Sequence, residues 1–233
     1  MTIIKLTLIS IYTIICSIAA LIFIVIDRSH TLYFKLSKVF SGGILLISGI
    51  KVTTSGTENV PKDTPCVYVS NHSSMFDIPA LQYTFPNRAG MVFKKELYRI
   101  PIFGWQLKWG PYIMIDRENP EKALKSIEQA KHTMADQNIS VLLFAEGTRS
   151  KTGEVMPFKR GAFYLAARVP FPIIPVSVSG TAKIMPKGEM KIVKGTIHVH
   201  YDKPIYTEDV KSKPQELQLM ETVREIIIKN KKD

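Results

Sequence analysis

Only two of the 233 residues are cysteines, Cys16 and Cys66. Two thiols cannot build a disulfide framework or a four-ligand zinc site. No second histidine or cysteine stands at ligand spacing from His72, so the sequence argues against a metal centre there. Cys16 lies inside an apolar run, where a small buried thiol is the ordinary reading. The 14 prolines and 13 glycines follow no triplet period, which excludes collagen-like and low-complexity chains. Disorder is excluded as well, because 45% hydrophobic and 22% charged residues is globular usage. Most telling is a local absence of charge. Leu6–Ile26 runs for 21 residues without a single charged residue.

At about 1.5 Å per residue that run makes a helix of roughly 30 Å, the thickness of a bilayer's hydrocarbon core. A cleaved signal peptide is the rival, since Lys5 precedes the run. However, its one small-x-small step, Ser17-Ile18-Ala19, falls in the middle of the run. A retained membrane segment is expected, and its length fits either a crossing or an insertion into one leaflet. A weaker apolar stretch, Phe40–Ile50, is too short to span and is expected in the interface or against the first helix, with Lys35 and Lys38 at headgroup level. Arg28, Lys35 and Lys38 favour a body on the cytoplasmic side of the cell (inner) membrane. The net charge of +11 is spread along the chain rather than gathered on one aromatic-lined face. That distribution argues against nucleic acid and for a lipid surface or an acidic partner.

Beyond the first fifty or so residues the pattern becomes α/β. Residues 1–52 are expected to be membrane-anchoring helices and 53–233 a single domain. Apolar runs predict strands at Cys66–Val69, Met91–Phe93, Tyr112–Ile115, Val141–Phe144 and Ile173–Val178, with late strands in Ile192–Tyr201. Helices are predicted from Asn119-Pro120 onward (Ala123, Ile127, Ala130 and Met134 on one face), over Arg160–Val169, and over Gln215–Lys229. Strand–helix alternation implies a largely parallel, mixed sheet flanked by helices.

Ligands in such sheets sit where strands end. Four strand ends carry unusual polar sets. In Asn71-His72-Ser73-Ser74-Met75-Phe76-Asp77 a base is followed five residues later by a carboxylate. On an ideal helix these would point about 140° apart, so they meet only if a strand-to-helix turn bends between them. If they meet, Asp77 orients His72 and raises the basicity of its other nitrogen; a structural pair is the plainer alternative. Ser73 and Ser74 could be nucleophiles but suit capping of the next helix better. Glu146-Gly147-Thr148-Arg149-Ser150 offers a free backbone, hydroxyls and a bidentate cation for phosphate, or else forms an ordinary polar turn. Ile115-Asp116-Arg117 puts a second arginine at a strand end. Ile174-Pro175-Val176 holds an interior proline that suggests an edge strand or a bulge.

Taken in order, these blocks resemble those of the glycerolipid acyltransferases, specifically the bacterial 1-acylglycerol-3-phosphate acyltransferases. His72 and Asp77 look like that family's His-x4-Asp motif. Lys94-Lys95-Glu96-Leu97, Pro101-x-x-Gly104 and Ile115-Asp116-Arg117 look like its second block, Phe144–Ser150 its third and Ile174–Val176 its fourth. The resemblance implies acyl transfer from an acyl-carrier protein or acyl-CoA thioester to the sn-2 hydroxyl of lysophosphatidic acid, forming phosphatidic acid. It makes His72 the general base and Asp77 its partner, and it places the substrate phosphate near Lys94, Arg117, Glu146, Gly147, Thr148 and Arg149. It calls for no metal or cofactor, the thioester being a substrate. An acyltransferase on another lysolipid (a lyso-ornithine lipid or lysophospholipid), a serine hydrolase on Ser73 or Ser74 and a non-catalytic membrane module are the alternatives. The Lys183, Lys187, Lys191, Lys194 cluster suits anionic headgroups, an acidic carrier protein or plain solvation.

Overall fold

A computed structural model of the chain describes residues 2–93, 95–114, 131–207, 210 and 212–232. Helix α1 (Thr2–Ile26) takes in the whole uncharged run and leaves Ile3, Ile15 and Val25 largely exposed. A tight turn follows, held by Asp27, whose carboxylate accepts the backbone N–H groups of Ser29 and Leu32 at 2.9 and 2.8 Å. Helix α2 (Thr31–Ser48) then runs back along α1. Close approach is possible because Gly43 has no Cβ: one built there would stand 2.5 Å from the Tyr12 ring. The Tyr12 hydroxyl donates to Val39 O at 2.9 Å, and the Tyr12 and Phe40 rings stack at 5.8 Å.

Gly49 (φ +71°) ends α2, and the chain passes directly into β1 (Ile50–Ser55). Then follow β2 (Val67–Ser70), α3 (Asp77–Thr84), β3 (Ala89–Phe93), α4 (Phe103–Trp109), β4 (Ile113–Met114) and α5, which is helical over residues 131–137. The chain continues with β5 (Ser140–Phe144), α6 (Arg160–Arg168), β6 (Ile173–Ser179), the short α7 (Thr181–Ile184), β7 (Gly195–Tyr201) and α8 (Lys213–Asn230). The seven strands lie in the order β1-β7-β6-β2-β5-β3-β4, and every neighbouring pair is parallel except β6 with β7.

The period of two in β2 divides the core. Tyr68 points to one face, where it packs with Leu45, Leu81, Phe85 and Tyr201. Val67 and Val69 point to the other, with Phe163, Ala166, Val223 and Ile227. Burial on both faces is why this strand and its neighbour β5 are nearly all apolar. Helix α8 is stopped at its start by a capping box between Ser212 and Gln215. Its inward face also buries Glu216, which is ion-paired to Arg160 at 3.1 Å.

Several expectations change. The weak stretch Phe40–Ile50 is the second half of an 18-residue helix, with Ile50 already in a strand. The expected boundary at 52/53 therefore falls inside β1, which pairs with β7 from Ile50 onward. Lys38 does not reach outward to headgroups; its ammonium donates to Phe85 O at 2.7 Å, at the end of α3. Only one strand, Gly195–Tyr201, lies in the span expected to hold late strands. Pro175 is in an interior strand rather than at an edge, and the bulge alternative holds: Ile173 pairs with Ile205 but Val176 with Tyr201, which leaves one extra residue on the partner side. Its N-side faces the gap in the β7 ladder between Tyr201 and Ile205, where only its carbonyl is used, accepting from Asp202 N at 2.9 Å. The break in pairing removes the need for a proline donor. Lys94, Arg117, Ile115 and most of the helix expected from Asn119 lie outside the described residues, although Met134 is fully buried as its periodicity implies.

Candidate active site

β2 ends at Ser70, and the next side chain replaces the lost ladder. The Asn71 amide donates to Val178 O and accepts from Val178 N, both at 2.8 Å, which latches the turn to β6. The chain then bends into α3, and the bend is held by the first residue of that helix. Asp77 Oδ2 accepts Ser73 N at 2.7 Å, Ser74 N at 2.8 Å and His72 Nδ1 at 2.7 Å. The five-residue spacing that separates two side chains on a straight helix thus brings them together across a turn. Asp77 is completely buried, and no described residue bonds its Oδ1.

With a carboxylate on Nδ1, the imidazole hydrogen sits there and Nε2 carries the lone pair. No described residue bonds Nε2, and the His72 side chain keeps 15% exposure. The ring stacks on Phe144 at 3.9 Å between centroids and 14° between planes, which fixes its orientation.

The second turn leaves β5 next to β2. Ser150 N donates to His72 O at 2.7 Å, and Gly147 takes φ +71°, a conformation that favours glycine. Glu146 is 1% exposed, and its carboxylate accepts His72 N at 2.8 Å and Met156 N at 3.3 Å. Burial pushes this carboxyl up to about 7, the two N–H donors pull it back, and the Asp77 charge adds to the rise. Glu146, which the resemblance places near the substrate phosphate, has its carboxylate engaged with backbone and shapes the His72 turn. Arg149 is part-buried, and no ion pair among the described residues holds its guanidinium.

Lys187, which follows α7, donates to Thr148 Oγ1 at 3.0 Å and Arg149 O at 2.7 Å. The sequence places it only in a diffuse lysine cluster. The end of α8 closes on the same region: Lys232 N donates to Ser179 Oγ at 2.8 Å. Burial lowers the Lys231 ammonium and nearby Lys183 adds to the drop, while Glu154, Asp77 and Glu146 oppose it. No sequence motif points to these C-terminal lysines.

Neither serine serves the base. Ser73 Oγ pairs with Thr181 Oγ1 at 3.0 Å, and Ser74 Oγ donates to Met185 O at 2.8 Å. Helix α3 has no side-chain cap, although Phe76 N approaches Ser74 Oγ at 3.3 Å, so the expected capping gives way to bonds that tie this turn to α7. Among the described residues no group of three or more His, Cys, Asp or Glu side chains is arranged to hold a metal.

An α/β sheet thus presents, at a strand end, an imidazole held at Nδ1 by Asp77, with Nε2 bonded by no described residue and neither Ser73 nor Ser74 on it. A family model described as Acyltransferase matches residues 51–179, a span that starts in β1 and ends with β6. The chain belongs to that acyltransferase family. It is 34% identical over 166 residues to a 1-acyl-sn-glycerol-3-phosphate acyltransferase of Cocos nucifera, a match covering 71% of this chain and 53% of that protein. With a protein of the same description from Saccharomyces cerevisiae it shares 31% identity over 218 residues, 90% of this chain and 72% of that one. The chain thus spans about half the length of the coconut protein. Its fold is that of the crystal structure of the 1-acyl-sn-glycerophosphate (LPA) acyltransferase, PlsC, from Thermotoga maritima. The TM-score is 0.80 at 23% identity, over 98% of this chain and 93% of that one.

Proposed function

We propose that this chain transfers an acyl group from an acyl-CoA or acyl-carrier-protein thioester to the sn-2 hydroxyl of 1-acyl-glycerol-3-phosphate, giving phosphatidic acid for phospholipid synthesis. The observation that carries the reading is the His72–Asp77 pair at 2.7 Å beside the loop that bears Arg149, in a chain of the acyltransferase family. His72 Nε2 takes the proton of the acceptor hydroxyl as its oxygen attacks the thioester carbonyl. Collapse of the tetrahedral intermediate breaks the C–S bond, and the imidazolium returns the proton to the departing thiolate. Asp77 keeps the hydrogen on Nδ1 and stabilises the imidazolium between these steps. A base so placed contributes about 10²–10⁴-fold. Arg149 supplies a bidentate contact to the phosphate, and Lys187 holds its loop; Lys94 and Arg117 are proposed as further phosphate contacts. The chemistry calls for no metal or cofactor.

The helices suit an acceptor that lives in a bilayer. α1 is long and apolar enough to cross one, with mean hydropathy 2.7 over its best window. Both its ends are nevertheless tied near the body: Lys5 Nζ donates to Ser48 O at 2.6 Å, and Arg88 Nη1 donates to Ser29 O at 3.0 Å just past its other end. A crossing helix would carry one of those ends through the membrane. These contacts support insertion into one leaflet. Placing the α/β body on the cytoplasmic side of the inner membrane rests on the flanking basic residues Arg28 and Lys35. Incubation with lysophosphatidic acid and each thioester in turn, with products resolved by mass, tests the reading. Phosphatidic acid acylated at sn-2 is expected; turnover of a lysophosphodiester or lyso-ornithine lipid alone would replace the acceptor named here.

A further inference from the structure

The loop between α7 and β7 has exposed apolar side chains on an otherwise ordered frame. Met190 is 64% and Val193 45% exposed, while Ile192 between them is buried. The loop is held by Glu189 N to Pro186 O at 3.1 Å and Val193 N to Ile184 O at 3.0 Å. Lys187, Lys191 and Lys194 alternate with this pair against one acid, Glu189.

Its position follows from the topology. β7 is antiparallel to β6, so the loop emerges at the end of the sheet where His72 and Asp77 stand. Ser74 Oγ and Lys187 Nζ tie it to the two turns of the site. At its other end, the Lys194 stem lies against Gly49, 3.3 Å from where a Cβ would be. Lys5 brings the start of α1 to that same point through Ser48 O, and there Ile3 and Ile4 are 79% and 64% exposed. Met75, between His72 and Asp77, is 56% exposed. The start of α1, Met75, Met190 and Val193 thus expose apolar side chains at the same end of the sheet, with lysines among them.

We infer that the 186–194 loop is a second membrane contact, entering the headgroup region of an anionic bilayer beside the mouth of the site. Exposed apolar side chains among cations are what an interface between anionic headgroups and acyl chains binds. An acidic carrier protein would match the lysines but leave Met190 and Val193 unexplained.

The test uses the full chain reconstituted into vesicles of phosphatidylcholine with phosphatidylglycerol. Met190→Cys is labelled with an environment-sensitive fluorophore; the native thiols, Cys16 and Cys66, are both buried. Glu58→Cys, at the opposite end of β1, is the control. The probe at 190 should shift to the blue and lose accessibility to dithionite, less so in phosphatidylcholine alone, while the control stays accessible. Equal accessibility at both positions overturns the inference, and this readout needs no turnover. As a second arm, Met190→Glu with Val193→Glu should raise the KM for vesicle-borne acceptor on the order of tenfold. Activity on detergent-dispersed acceptor should be unchanged. A loss confined to the acyl-carrier-protein donor would assign the loop to that protein and refute the membrane contact.

Discussion

Two turns leave the adjacent parallel strands β2 and β5, and each carries a carboxylate with almost no solvent exposure. Asp77 and Glu146 both accept backbone N–H groups of the turn after β2, yet they do different work. Asp77 Oδ2 gathers two N–H donors and the imidazole in one place, so the same atom shapes the turn and orients the base. Glu146 spreads its bonds between His72 N and Met156 N, reaches no titratable side chain through them, and is pushed up to about 7 by burial. One carboxylate bonds the imidazole directly. The other acts only through where it holds the backbone, and its hold weakens when it is protonated. Burial alone does not tell the two apart; the bonded partner does.

That contrast can be broken by substitution. His72→Ala should lower kcat by about 10²–10⁴-fold with the fold and vesicle association intact, read by steady-state assay and circular dichroism. Arg149→Ala should raise the acceptor KM by about 10–100-fold with kcat changed little, the loss of a charge-assisted bidentate contact. A KM effect confined to the thioester would reassign the residue. Glu146→Gln should cost roughly tenfold in kcat, because one backbone N–H loses its acceptor. The same variant should change the pH dependence of unfolding. A carboxyl raised from 4.5 to about 7 in the folded chain stabilises fully below pH 4.5 and loses that contribution as pH rises through 7. The native protein should therefore lose roughly 1–3 kcal/mol between pH 5 and 8 that the Gln variant does not lose. Denaturant titrations at both values decide this, and parallel slopes would mean that Glu146 is not buried as described. Smallest of all, Lys187→Met should raise the acceptor KM a few-fold and Lys187→Arg should restore it, because the lysine holds the Arg149 loop from outside.

How much of this was legible in the sequence follows the same contrast. The meeting of His72 and Asp77 was readable as a condition, since the spacing demands a turn and strand β2 followed by helix α3 supplies one. The work of Glu146 was not, because its partners are backbone groups that no side-chain pattern records. Nor was Asn71 singled out, although an amide at a strand end is the signal a latch to a neighbouring strand leaves. α2 was half missed because its buried stripe includes Ser37, Ser41 and Ser48, which blunt the apolar period. β1 was missed because Lys51, Thr53 and Thr54 are exposed and only Ile50 is fully buried. Pro175 signals a bulge but not the segment that forms it, because the extra residue lies between Tyr201 and Ile205, more than twenty residues away in sequence.

On the proposed mechanism, His72, oriented by Asp77, takes the proton of the acceptor hydroxyl itself. This role is tested most directly by comparing sn-2 acylation of lysophosphatidic acid by the native protein and by His72→Ala, at saturating acceptor and thioester, with product measured by mass. Phosphatidic acid is expected from the native protein and a rate near background from the variant. Comparable product from both would contradict this role.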